Sequence, residues 1–466
     1  YDGMGRTMLA ETYEAEEMTT RTEWTWNTLG RPETRTLTLG DGNGGTPGQW
    51  STLAVSDVHG SVVREGFSDG FQLARHRDEL SRTTTVTDTL LSADLFNLLW
   101  AGPARIAHQD NLNGTSTQVD YETGFSGLPR RIDHKRGAQT LWGFDYRHDL
   151  RGLETRQRRD HEGGTGRVQH LDPARRMADM FAGADLAGAL LDGAADPTSY
   201  GLRREFTYQA PGNRTSVSDS AAGGAVRTQA YEISGDLMNR YVLVDDFALG
   251  CDAGARVTFD ASAGAYHAWD FRSRLSLVDD DADMLSPSRR FVYDAQGRRV
   301  LEDELEEGVL ESRTVILYGA DDRPLEEIQL DAADVETGRV QYARNGEDIL
   351  AERVDGAWRW RHLDADGSLV GLTDAAGERT ALFDYRPFGM PMRAGVTADV
   401  APSEITDVEA DTPVAGITRI HVTQTLSGDL LGHELAISVP AAATERYRTT
   451  RSEEHTSELQ SLRTIS

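Results

Sequence analysis

The chain has 466 residues, with 48 Lys+Arg against 76 Asp+Glu and a formal net charge of −28. A hydrophobic fraction of 38%, with 8 Trp, 14 Tyr and 13 Phe, suffices for a large core and excludes a disordered tail. One cysteine, Cys251, excludes a disulfide scaffold and a multi-cysteine metal site; no apolar run reaches membrane-spanning length, and the acidic balance disfavours nucleic acid.

From the N-terminus, Tyr1-Asp2-Gly3-Met4-Gly5-Arg6 and Trp24-Thr25-Trp26-Asn27-Thr28-Leu29-Gly30-Arg31 introduce a cassette that recurs along the chain. Its template is aromatic, any residue, aromatic, Asp, two residues, Gly, Arg. The clearest copy is Phe291 to Val300, with further copies at Phe206 to Val217 and His267 to Val278. Weaker copies lie at 56–61, 77–82, 148–152, 171–176, 318–323, 363–368 and 385–390. Asp or Asn fills the turn-opening column in 9 of 12 copies, with Gln209, Gly319 and Arg386 as exceptions, and the shorter steps are 21 to 25 residues, so the pattern is a repeat.

The spacing has a physical cause. Aromatics at i and i+2 share one face of a strand. Asp opens a turn because its carboxylate reaches backbone N–H groups two residues on. Gly three residues later supplies the positive φ that closes the turn. Arg restarts the outgoing strand, its stem on apolar surface and its head in water. Each cassette therefore predicts a β-hairpin tip, and the series predicts an all-β chain of antiparallel hairpins forming one curved sheet.

The intervening stretches agree. Arg82 to Asp88 and Arg313 to Tyr318 are rich in β-branched residues and read as strands. Ala93 to Trp100 and Arg175 to Leu191 have apolar spacing nearer 3.6 and read as helical insertions, with buried strands as the alternative. Glycine-rich stretches at 40–48, 163–166 and 221–224 read as loops.

Catalytic patterns are weak. Gly66-Phe67-Ser68-Asp69-Gly70 has the G-x-S-x-G form of a nucleophile elbow, but such an elbow needs a parallel sheet and its surroundings read as hairpins. An esterase using Ser68 is the enzymatic alternative. His76-Arg77-Asp78 lies in a tip and lacks the flanking residues of a kinase loop. Asp279, Asp281 and Asp283 alternate like the start of a calcium loop, but Met284 and Arg290 stand where Gly and Glu are needed. Twelve histidines are scattered without a close pair in sequence. The chain is read as non-enzymatic, with no catalytic, cofactor or metal residue assigned. The structural residues are Tyr208, Gly212, Trp269, Tyr293, Asp294, Gly297 and Arg298 in the tips, joined by His362, Asp364, Gly367, Tyr385, Pro387, Phe388 and Gly389 further on.

Those last residues belong to the block Trp360 to Gly389, with a His362-x-Asp364-x-x-Gly367-Ser368 run, then Leu372-Thr373-Asp374, then Asp384-Tyr385-x-Pro387-Phe388-Gly389. In this block and in its cassettes the chain resembles the RHS/YD-repeat family. The resemblance implies a ribbon of antiparallel strands wound spirally into a partial hollow shell, secreted or at a bacterial cell surface. It also implies a covalently linked C-terminal toxin or other cargo as partner. Carbohydrate binding by a cell-surface adhesin, with surface glycans as partners, is the alternative function it implies. The self-cleaving Asp-Pro-x-Gly-Leu string of many toxin-carrying relatives is absent: Asp172-Pro173 and Asp196-Pro197 continue differently.

The chain thus divides into a YD-repeat shell at 1–392, with the core-like block at 360–389, an acidic linker at 393–416 and the start of a β-rich module at 417–450. Residues 451–466 are similar to a sequencing adapter translated in frame and are set apart from the fold.

Overall fold

The computed structural model describes residues 1–14, 17–40, 48–123, 127–186, 197, 199–210, 212–221, 226–233, 241–244, 247–261, 263–385, 391–395, 404–410, 417–425, 433–440 and 449–451. The chain forms two compact units, residues 1–368 with 374–377, and residues 369–373 with 378–466.

Among the described residues of the first unit, every strand from Leu9–Glu14 to Ala357–Leu363 pairs antiparallel with the next in sequence. This is the all-β meander that the cassettes predict. Each strand's backbone groups are taken up by its neighbours, which leaves few open edges.

The two stretches with helix-like spacing are strands, Ala93–Ala101 and Met177–Asp185, with residues 187–191 outside the described ones. Bulges explain the misleading period. Val86 faces Phe96 and Thr87 faces Asp94, so Leu95 is an extra residue, and both Leu95 and Phe96 point into the core at 0% exposure. In the other strand Gly166 faces Ala184 and Arg167 faces Ala182, so Gly183 (φ 63°) is the inserted residue that shifts the phase between Phe181 and Ala184. An interrupted period of two mimics a period of 3.6 over such short spans.

The sheet of the first unit curls until its later strands lie on its earlier ones, and the core sits in that seam. One cluster joins Leu73, Val86, Leu95 and Phe96 to Leu350, Trp358 and Trp360. A second joins Leu37 and Leu39 to Leu301, Val315, Ile328 and Leu330. Each such fully buried side chain contributes about 1.5–3 kcal/mol, so the seam is a main source of stability.

In the second unit, strands Leu369–Thr373, Arg379–Tyr385 and Pro391–Gly395 pair in succession. Strands Glu404–Ala410, Ile417–Thr425, His433–Pro440 and Thr449–Arg451 form a separate four-stranded antiparallel sheet. The stretch read as an acidic linker thus carries strand Glu404–Ala410, which pairs with Ile417–Thr425.

Candidate functional site: the ladder of tips and the seam

The tip at Asp294 shows how the cassette works. Gly297 N donates to Asp294 O at 2.9 Å, and Asp294 N donates to Arg298 O at 2.9 Å, closing the reversal. Asp294 Oδ1 accepts from the backbone of Gln296 and of Arg298, both at 2.9 Å, and Oδ2 accepts from Arg298 Nε at 2.8 Å. Gly297 has φ 87°, the left-handed region in which a Cβ is strained. Beyond the turn, Val292 faces Leu301 and Tyr293 faces Arg299, so Val300 bulges and both Val300 and Leu301 are buried.

In this tip the arginine head is largely withdrawn from water. It is paired with the Asp four residues earlier and lies over the aromatic of the following tip. Arg274 covers Tyr293 at 4.4 Å from the ring centroid, and Arg298 covers Tyr318 at 4.7 Å. That aromatic in turn donates to the carbonyl just after the preceding tip: Tyr208 to Met177 (2.8 Å), Trp269 to Val257 (2.8 Å), Tyr293 to Leu275 (2.8 Å) and Tyr318 to Arg299 (2.7 Å). Trp26 to Thr7, Trp100 to Thr83 and Tyr121 to Ile106 repeat the rung. Where the aromatic is missing, Arg77 reaches Val62 O and Arg344 reaches Pro324 O. The shared requirement is an N–H or O–H at the end of a long side chain, and the tips that carry one are fastened to their neighbours; Leu171 and Leu363, in the same column, have no such donor.

Departures from the template keep the turn in other ways. Gln209 and Gly319 lack the carboxylate, yet Gly212 N still donates to Gln209 O, and Asp322 N to Gly319 O. Gly212 has φ 104°. Where Gly is absent, Ser81, Arg175, Ser273 and Asp322 take φ values of 62°, 66°, 64° and 62°. The cassette reading passes over a tip at Asp252–Arg256, where Cys251 replaces the aromatic and Ala255 (φ 64°) the glycine. The signal that survives there is the Asp-to-Arg spacing of four, with Arg256 Nε 2.6 Å from Asp252 Oδ2.

Several early strands are keyed to the later winding by polar groups. Arg35 donates to Gly319 O at 2.7 Å and pairs with Asp322 at 2.6 Å; Asp322 also holds Arg298 at 2.6 Å. Trp358 Nε1 donates to Asp88 at 2.8 Å, and Trp360 Nε1 to Leu95 O at 3.0 Å. Ser68 sits on a tip between the two windings: its N–H donates to Glu326 at 2.9 Å and its hydroxyl accepts from Arg339 at 2.7 Å. The Asp279 and Asp283 carboxylates accept backbone N–H bonds of their own loop.

The fold also brings together two histidines 228 residues apart. Nε2 of His134 donates to Leu363 O at 3.1 Å, which leaves its Nδ1 as acceptor, 2.9 Å from the Thr117 hydroxyl and 3.2 Å from Nδ1 of His362. Trp142 packs on His362 at 4.9 Å. Burial pushes His134 down to about 4, and burial beside His134 pushes His362 well below the usual imidazole value, so both are neutral.

Asp364 opens the next tip, and Gly367 has φ 78°. Its fifth residue is Ser368 where the template has Arg, and among the described residues the Asp364 carboxyl accepts the backbone N–H groups of Asp366 and Ser368 alone. Burial therefore prevails and raises Asp364 to about 6, whereas the bond from Arg82 holds Asp78 below the ordinary carboxylate value. Tyr385 lies at the end of strand Arg379–Tyr385 facing Pro391; Pro387, Phe388 and Gly389 lie outside the described residues.

No family model matches the chain. Over 196 residues, 42% of this chain, it is 24% identical to the tRNA nuclease WapA of Bacillus subtilis and to the tRNA3(Ser)-specific nuclease WapA of Bacillus spizizenii, and it spans 8% of their length. Its fold matches the Tc holotoxin pore of Photorhabdus luminescens with a TM-score of 0.66 and 15% identity, over 82% of this chain and 20% of that one. It matches a TcdB2–TccC3 crystal structure with a TM-score of 0.64 and 16% identity, over 82% of this chain and 22% of that one. In its recurring cassette, in the sheet the cassettes build and in these matches, the chain is similar to RHS-type repeat proteins and shares the shell-like fold of the Tc toxin structures.

Proposed function

We propose that this chain is part of the wall of a secreted or cell-surface shell that encloses or presents a toxin-like polypeptide joined to its C-terminal side. The observation that carries this reading is the ladder: successive tips are fastened to their neighbours in a sheet whose later strands lie on its earlier ones along a largely apolar seam. Such a wall resists local opening, because a strand that leaves the sheet breaks its pairings, its rung and its share of the core together. Two features of the relatives support a linked cargo. A TcdB2–TccC3 structure is described as lacking a hypervariable C-terminal region, and the WapA proteins are nucleases. On this reading the wall performs containment, and any chemistry belongs to the cargo. Ser68, engaged by Arg339 and Glu326, serves as a seam contact.

The test is protease protection in the intact parent protein. The downstream polypeptide is expected to resist protease while the wall is native and to be cut once Arg35→Ala and Trp360→Ala loosen the seam. Equal cutting in both proteins, with the wall shown to be folded, would refute containment.

A further inference from the structure

A cavity of about 10 Å³ lies within the seam, lined by Thr22, Arg35 and Thr52 of the early strands and by Asp294, Arg298 and Tyr318 of the later winding. Two polar atoms of these lining residues have no hydrogen-bond partner among the described residues: Thr22 Oγ1, on a residue only 2% exposed, and Arg35 Nε. The other nitrogens of Arg35 are engaged with Tyr318 O, Gly319 O and Asp322. Buried donors of this kind are almost always satisfied in folded proteins. The volume corresponds to about one water-sized sphere.

We propose that a single water molecule is a fixed part of this seam, accepting a hydrogen bond from Arg35 Nε–H and bonding the Thr22 hydroxyl. The charges around the cavity favour a neutral occupant over an ion. Arg35 and Arg298 share Asp322, and Arg298 is also paired with Asp294, so two guanidinium groups face two carboxylates. The water would complete the hydrogen bonding of Arg35, the side chain that reaches from strand Pro32–Leu39 into the tip after Tyr318. It would also give Thr22, on the neighbouring strand Glu17–Trp26, a tie to the same tip. This inference does not depend on a cargo.

A high-resolution crystal structure of the 466-residue chain, with a second crystal soaked in bromide, tests it. The expected result is a spherical density about 2.7–3.2 Å from both Thr22 Oγ1 and Arg35 Nε, with no anomalous signal after soaking. An anomalous peak would assign the site to an anion and overturn the proposal, as would an empty cavity. Thr22→Ser should keep the density and Thr22→Val should lose it; persistence in Thr22→Val would overturn the role given to the hydroxyl. If Thr22→Val does not fold, the wild-type crystals decide alone.

Discussion

Arg298 lies over the ring of Tyr318, 4.7 Å from its centroid, and Tyr318 donates to the carbonyl of Arg299, the residue next to that arginine, at 2.7 Å. One side chain is thereby clasped by two adjacent residues of the preceding tip. Burial pushes the Tyr318 hydroxyl up to about 12, so it remains a donor throughout the physiological range. Tyr318→Phe keeps the ring under Arg298 and removes only the rung. The expected loss is about 1 kcal/mol, read as a lower urea midpoint. An unchanged midpoint would show that the rung does not contribute.

The turn conformation makes a prediction in both directions. Ser273 holds φ 64° where the template has glycine, so Ser273→Gly should stabilise by about 1 kcal/mol through relief of left-handed strain. Gly297, at φ 87°, should lose about 1–2 kcal/mol on replacement by valine. Paired thermal unfolding of the two variants checks the signs; equal signs would contradict the turn assignment.

Restoring the template is not always stabilising. At Gly319 a Cβ would come within 3.0 Å of Glu65 Oε1 and 3.1 Å of Asp321 Oδ1, so an added carboxylate would meet two others. Gly319→Asp, although it recreates the consensus, should destabilise by about 1–3 kcal/mol through like-charge contact and crowding. Denaturant unfolding decides, and a stabilised variant would contradict this reading of the seam.

The seam also sets a pH dependence with two limbs. His134 and His362 are depressed, so their contribution is complete above about 6.5 and is lost as pH falls, toward about 4 for His134. Asp133 and His161 are the other titratable groups near His134. Burial raises Glu154 to about 8, with Asp364 and Asp366 adding to it and Arg167 and Arg159 opposing it; Asp364 is raised to about 6. The contribution of these two carboxyls is complete below about 4 and is lost as pH rises through their folded values. The limbs offset one another between about pH 4.5 and 6, and above about 6.5 only the carboxyl limb remains. Stability should therefore fall from about pH 6.5 to 8, and Glu154→Gln should flatten that fall. Parallel melting profiles for the two proteins would contradict the assignment.

Much of the wall is legible in the sequence because the turn chemistry is local. Asp294, Gly297 and Arg298 act within five residues, and their spacing alone places the reversal. The rungs are less visible, because Tyr293 finds its acceptor on the preceding tip and because Arg77 and Arg344 can replace an aromatic. The seam is hidden: nothing near His134 or Arg35 in sequence announces His362 or Asp322. Strand Ala93–Ala101 misleads for the opposite reason, since the bulge at Leu95 breaks the alternation on which a strand is recognised. Gly66 to Gly70 shows the limit of motifs, for Phe67 N donates to Phe71 O in one more tip.

The most direct measurement is a cryo-EM map of the intact parent protein. The expected map shows antiparallel strands latched tip to tip through residues 9–363, strand Val309–Tyr318 seated on strands Pro32–Leu39 and Gln49–Ser56, and density for the downstream polypeptide on the enclosed side of the wall. A downstream polypeptide packed wholly on the outer surface, or a wall whose windings do not touch at Arg35 and Asp322, would contradict it.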